Sequence, residues 1–380
     1  MAEDIEFDYK STYTSNFPKI LEALNISLVV TCYQSAKLVL IRSTESKINT
    51  HFKTFHRPMG IYVDKNRLTL GTHTEVLEYK RNDDLLETVK NGALDDENKL
   101  TRKVLEKDQE ELEELREKKE KELAELKKAD TLYMPRASLV TGMINIHDIA
   151  WGDEGLWVVN STFSCLSTLS PDNSFVARWK PKFITELVPE DRCHLNGMAM
   201  LNGKPKYVTT FNKKNSLDSW TDTKKYDGTL IDIDTDEILL DEMVMPHSPK
   251  VYKDKVYVCE SGLGIVWEFD PKTKEKKQVV KLKGFTRGLY FYGGLMFVGL
   301  SQVRTSSITD PIPLSKEDKT YSGVWIINMD NNTEIGYIKF DGDLDQVYDI
   351  AIMPDTSYPE LLERESTLIR YLFDFKEEII

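Results

Sequence analysis

Along the chain, short apolar runs alternate with tight polar turns in a pattern that repeats. Each copy has an apolar opening segment, a turn, a β-rich segment ending in small or polar residues, and a third strand. The first copy runs from Gly60-Ile61-Tyr62-Val63 through Arg67-Leu68-Thr69-Leu70-Gly71 to Val76-Leu77-Glu78-Tyr79. Asp148-Ile149-Ala150-Trp151, Gly197-Met198-Ala199-Met200, Lys250-Val251-Tyr252 and Gly288-Leu289-Tyr290-Phe291 open four more. A sixth copy is split. Asp349-Ile350-Ala351-Ile352-Met353 reads as an opening strand with no blade after it, while residues 27–32, 37–41 and 49–52 supply strands with no opening strand before them. Pairing the two ends would close a ring and leave no exposed sheet edge at the seam. The expected fold is therefore all-β, a six-bladed β-propeller over residues 17–354, closed by pairing N-terminal strands with a C-terminal strand.

One segment breaks the period. Residues 95–130 are rich in Glu, Lys and Leu and lack Gly and Pro. Glu/Lys pairs three and four residues apart support an inserted charged helix or helical hairpin. Its leucines, Leu105, Leu112, Leu115, Leu123 and Leu126, hold no clean heptad, so a solvated rim helix is favoured over a dimerising or partner-binding arm. A short helix is expected from Asn16 to Leu24, and residues 355–380 are expected to pack on the outside as a tail.

Composition narrows the function. The 380 residues carry 50 Lys+Arg against 63 Asp+Glu, a net charge of −13, which repels phosphate backbones and anionic membranes. Neither a nucleic-acid nor a membrane partner is expected. The N-terminal run lacks the basic start and apolar stretch of a signal peptide. A cytoplasmic location follows as the expectation, with Cys32, Cys165, Cys193 and Cys259 as reduced thiols.

In a propeller the opening strands line the axis, so the repeat itself selects the residues at one mouth. The position before each opening strand reads Met59, His147, Asn196, His247, Arg287 and Tyr348. His56 and His194 lie two or three residues upstream of their own ring positions. The ends of the second strands add His73, Asn160, Asn212, Glu260 and Gln302, with Tyr33 and Gln34 from the closing blade. Imidazoles at this density point to zinc, iron or copper, with His147, His247 and His194 or His56 as ligands and one open position. Arg287 is the expected anion clamp, Tyr348 or Glu260 the proton donor or acceptor. Asn160, Asn196, Asn212 and Gln302 are candidate substrate contacts, and Asn160, Asn196, Asn212 and Glu260 are the candidate oxygen ligands if the ion is calcium. Cys165, or Cys193 beside His194, reads better as a buried thiol than as a nucleophile.

His56-Arg57-Pro58-Met59-Gly60, the Asn160 to Leu166 run, the Glu190 to Gly197 run, Met245-Pro246-His247-Ser248-Pro249 and Gly284-Phe285-Thr286-Arg287-Gly288-Leu289 together resemble a family of bacterial conserved hypothetical proteins carrying a domain of unknown function. That resemblance implies a fold and no reaction. Pro246-His247-Ser248 and His147-Asp148-Ile149 are also similar to the blade-start histidine motifs of NHL-repeat peptidyl-hydroxyglycine lyases, which implies zinc held by three histidines with Tyr and Arg nearby. Here Asn196 stands where the third would fall, with His194 two residues away.

Three functions are expected to compete. The first is a metal-dependent enzyme, a lyase or an oxygen-using one, acting on a small anionic or peptide-like substrate at the mouth. The second is a calcium-dependent lactonase or esterase. The third is a non-catalytic platform with the 95–130 helix as the docking element for a protein partner.

Overall fold

A computed structural model describes residues 8–94, 109–222, 226–303, 306 and 312–378. Six antiparallel sheets form the six blades of a β-propeller. Their inner strands are Ile61–Val63, Ile146–Gly152, Leu195–Leu201, Pro246–Tyr252, Phe285–Tyr292 and Asp349–Pro354, in blades 1 to 6. Blade 6 is the split one: Asp349–Pro354 pairs antiparallel with Ile26–Cys32, which continues through Lys37–Thr44 to Lys47–Thr54.

The position following each ring residue explains how the inner strands hold together. It reads Gly60, Asp148, Gly197, Ser248, Gly288 and Asp349, a glycine alternating with an acceptor side chain. Each acceptor bonds a backbone N–H of the next blade. Met198 donates to Asp148 at 3.0 Å, Gly288 to Ser248 at 2.9 Å and Ile61 to Asp349 at 3.1 Å. The glycines permit the close approach, since a Cβ at Gly60 would meet the Asp148 backbone at 3.0 Å and one at Gly288 the Ile350 nitrogen at 2.9 Å. Asp349 thus joins blade 6 to blade 1 and seals the ring at its axis.

The rim is strapped on both sides of blade 6. Tyr9–Tyr13 adds an antiparallel fifth strand to blade 5, and Pro359–Leu361 adds a parallel one to blade 1. Helix α1, Phe17–Leu24, buries Phe17 and Leu21 in the core shared by blades 5 and 6. The insertion lies between the third and fourth strands of blade 1, Glu75–Arg81 and Thr131–Val140. It contains helix α2, Asp83–Lys90, which the sequence pattern did not suggest, and helix α3, Gln109–Lys128. The rest of the expected helical stretch, residues 95–108, lies outside the described residues. Instead of projecting free, α3 docks its C-terminal end: Leu126 is buried with Leu86, Val89, Leu132 and Leu368. Leu368 belongs to the C-terminal tail, which packs here before Phe373 and Phe375 emerge exposed.

A buried ion cluster ties α3 and the Pro359–Leu361 strand to blade 6. Arg42, with no exposed surface, bonds Glu360 at 2.6 Å and Glu125 at 2.9 Å, and Lys53 reaches Glu360 at 2.5 Å. Burial would raise the Glu360 carboxyl, but His51, Lys53 and Arg42 overcome it and hold its pKa down at about 2. A depressed carboxylate adds stability above its unfolded pKa and loses it as the pH falls toward the folded one. Removing one member of a buried pair costs about 3 kcal/mol or more. We therefore expect Glu360→Gln to lose roughly 3 kcal/mol in denaturant unfolding at pH 7. That deficit should shrink as the pH falls from about 4.5 toward 2, and a pH-independent difference would contradict the assignment.

Candidate functional site

The axis opens at one face into a cavity of about 500 Å³. Two tiers of the repeat build it. Five of the six ring positions line it, Met59, His147, His247, Arg287 and Tyr348; Asn196 does not. The residues two positions upstream form the second tier, and all six line the cavity: Arg57, Asn145, His194, Met245, Phe285 and Gln346. In blades 1 to 4 this upstream residue has a left-handed backbone, with φ of 51° at Arg57, 54° at Asn145, 47° at His194 and 51° at Met245. Register shifts follow within the inner strands, at Leu195/Gly197 and His247/Lys250 for example. Such bulges re-aim side chains, here on both sides of the ring position.

Aromatic rings form a belt around the cavity. Trp220 stacks on His194 with centroids 4.0 Å apart. His194 meets Phe211 at 4.6 Å, Phe211 meets His247 at 5.0 Å, and His247 meets Phe285 at 5.3 Å. In the other direction His147 contacts His194 at 4.6 Å and Tyr348 at 5.5 Å, and Tyr348 contacts Tyr33 at 5.4 Å. The Arg287 guanidinium lies 3.5 Å from the Tyr348 ring centroid.

Hydrogen bonds assign the imidazole tautomers. Asp191 accepts from His194 Nδ1 at 2.7 Å, leaving the Nε2 lone pair free. His247 Nδ1 donates to the Met245 carbonyl at 3.0 Å and to Ser261 Oγ at 2.8 Å, because the Ser261 hydroxyl itself donates to Thr286 O at 2.5 Å. His147 is different: its Nδ1 accepts from Arg287 at 3.4 Å. Burial first, then His194, Arg287 and His247, push the His147 pKa well below 6.5. Burial, Arg287 and His194 do the same for His247. Burial drives the Tyr348 phenol up, and its hydroxyl has no hydrogen-bond partner among the described residues; the same holds for Trp220 Nε1 and Asp191 Oδ1. Among those residues neither Arg57 nor Arg287 has a carboxylate partner.

The structure brings together His147, His194, His247, Arg287, Tyr348 and Gln302 from the expected set, with Tyr33 and Gln34. It separates the others. His56 packs on His73 at 4.6 Å, and neither lines the cavity. Glu260 is buried between strands, accepting from Val244 N at 2.9 Å and Trp267 Nε1 at 2.6 Å. Asn160 accepts from Phe163 N, Asn196 bridges Thr209 and the His194 carbonyl, and Asn212 bonds Ser219 and Lys214. None of these four presents oxygen to the cavity, because each satisfies a buried turn or strand end. Cys165 and Cys193 are buried, with pKa values pushed up by burial to about 11 and 12.

The three axial imidazoles do not form a ready metal centre. The one group of three metal-ligand side chains with donor atoms within 4.8 Å of one another, among the described residues, is His51, Glu125 and Glu360. There Arg42 and Lys53 already hold the carboxylates. The zinc site implied by the lyase likeness does not fit His147, whose Nδ1 faces a guanidinium.

Sequence reasoning missed Arg57, Asn145, Phe211, Trp220, Met245, Phe285 and Gln346. The upstream tier was available from the same repeat at an offset of two, and Phe211 at the end of the second strand of blade 3, one residue before Asn212; Trp220 lies in the connection that follows that strand.

By its fold the chain is a six-bladed β-propeller with a cavity at one mouth of its axis. A family model described as "Domain of unknown function (DUF4915)" matches residues 15–362, and the chain belongs to that family. A solved structure described as "Crystal structure of Nidogen/Laminin Complex" is similar at 9% identity and a TM-score of 0.48, covering 87% of this chain and 99% of that one. No curated protein matches. No helix among the described residues is long and apolar enough to cross a membrane.

Nitrogen-15 NMR at pH 6.5 should show His247 neutral with its proton on Nδ1, and His147 neutral. An imidazolium at His147, or a neutral His247 with its proton on Nε2, would contradict the assigned bonds.

Proposed function

We propose that the chain binds a small organic anion in the axial cavity and acts on it by acid–base chemistry. One observation carries this reading: two guanidiniums without a carboxylate partner among the described residues face a cavity in which His147 and His247 resist taking a further positive charge. In a protein of net charge −13, this is a local concentration of uncompensated cations. Arg287 and Arg57 would hold the anion, with Arg287 presenting a planar fork that matches a carboxylate. His194 would exchange a proton at Nε2, oriented by Asp191, as a base held by a carboxylate does in many enzymes. Tyr348 would stay a neutral phenol and donate to the substrate.

A second reading retains the expected transition metal. His194 and His247 each tie down Nδ1 and free Nε2, as metal-ligating histidines do. A third ligand would then have to come from the substrate or from a rearranged His147. Calcium gains no comparable support, since Asn160, Asn196, Asn212 and Glu260 are engaged elsewhere.

Calorimetric titration with carboxylates and their neutral amides checks the first reading. Carboxylates should bind and amides should not, and Arg287→Gln should weaken binding about tenfold to hundredfold without lowering Tm appreciably. Equal binding of acid and amide would overturn it. Elemental analysis of protein purified without chelator checks the second: near-stoichiometric zinc, iron or copper lost in His194→Ala/His247→Ala would establish it.

A further inference from the structure

We infer that the anion is an aryl carboxylate, a flat aromatic ring bearing its charge at one end. This rests on the anion reading and specifies the rest of the ligand.

The wall of the cavity is segregated by blade. From blade 3 to blade 5 it is the ring run from Trp220 through His194, Phe211 and His247 to Phe285, with successive centroids 4.0, 4.6, 5.0 and 5.3 Å apart. Met245 and Val303 fill between these rings. The two imidazoles there have their Nδ1 hydrogens committed to Asp191 and to Met245 and Ser261. Beyond Trp220 Nε1 and Asp191 Oδ1, which have no partner among the described residues, this sector offers mainly ring faces and edges. The opposite sector, blades 5 to 2, holds both guanidiniums and the side-chain amides of Asn145, Gln302 and Gln346. Gln346 spends its amide on the Gln302 carbonyl at 2.8 Å, and Gln34 spends its amide on the Tyr33 hydroxyl at 2.9 Å. Asn145 and Gln302 remain as the amides of this sector with no such bond among the described residues, beside the two guanidiniums.

The belt is also geometrically suited to a ring. His247 meets Phe211 and Phe285 edge-on, with interplanar angles of 82° and 72°. Edge-to-face arrangements match the quadrupole of a further aromatic ring, which gains beyond simple area burial. A cavity of about 500 Å³ lies within the usual range of small-molecule sites. A polyhydroxylated acid would bury its hydroxyls against Phe211, Phe285 and Met245 without partners, which is costly.

The test uses the full chain, titrated calorimetrically with phenylacetate, 3-phenylpropionate, acetate, gluconate and phenylacetamide. Fluorescence of Trp220, identified by difference from Trp220→Phe, gives a second readout at the belt. The arylalkyl acids should bind at least tenfold more tightly than acetate or gluconate and change the Trp220 emission. Phe285→Ala should reduce that preference, weakening phenylacetate and 3-phenylpropionate at least several-fold more than acetate. Gluconate binding as tightly as phenylacetate would overturn the aryl assignment and leave the anion reading standing. Phenylacetamide binding as tightly as phenylacetate would overturn both, as would no binding by any acid.

Discussion

The structure depends on a contact repeated at the axis: an acceptor side chain just inside the mouth bonds a backbone N–H of the following blade. Asp148, Ser248 and Asp349 do this for blades 2, 4 and 6, facing the glycine-bearing strands of blades 3, 5 and 1. Buried N–H groups demand partners, so the arrangement satisfies the inner strands where ladder pairing is interrupted by bulges. It also fixes the blades against each other one residue from the side chains that line the cavity. Two of the acceptors are carboxylates, and Lys250 lies 3.5 Å from Asp148 between them. Burial, then the neighbouring Asp148 charge, raises the Asp349 pKa. The axis therefore carries an electrostatic cost beneath the site, which the backbone donors and Lys250 offset.

Much of this was legible in the sequence because propeller geometry follows from period. The six opening strands, the split blade and the ring of Met59, His147, His247, Arg287 and Tyr348 came from aligning copies, with no reference to side-chain chemistry. The alignment failed where a residue's direction depends on local backbone. His56 and Arg57 are neighbours, and the left-handed turn at Arg57 puts the arginine, not the histidine, into the cavity. Glu260, Asn160 and Asn212 sit at the expected strand ends, but their polar atoms satisfy turns and strand ends. Polar residues at strand ends serve both roles, and composition does not separate them. Trp220 was invisible because the Ser219–Thr221 turn that carries it belongs to a connection outside the repeat. The docked end of α3 was missed for a related reason: Leu126 finds its partners in α2 and in the distant tail, beyond any local pattern.

The site's character comes from its charge balance. Three imidazoles, two guanidiniums and the Asp191 carboxylate share this mouth, within a chain that is strongly acidic overall. In such a place His147 and His247 resist protonation and the arginines lack compensation, so negative charge is the missing partner. The aromatic belt sets where the rest of a ligand would lie. The fold supplies the enclosure and the repeat supplies the residues; the family match adds no reaction.

The axial bonds are tested most directly by native-state hydrogen exchange at the Ile61, Met198 and Gly288 amides. Exchange there should be as slow as that of neighbouring ladder amides such as Val208 and Val298, because opening these bonds requires separating blades. Rapid exchange at all three, with those ladder amides protected, would contradict it: the ring would then be held by packing alone, and the acceptor–glycine alternation would not be what positions the mouth.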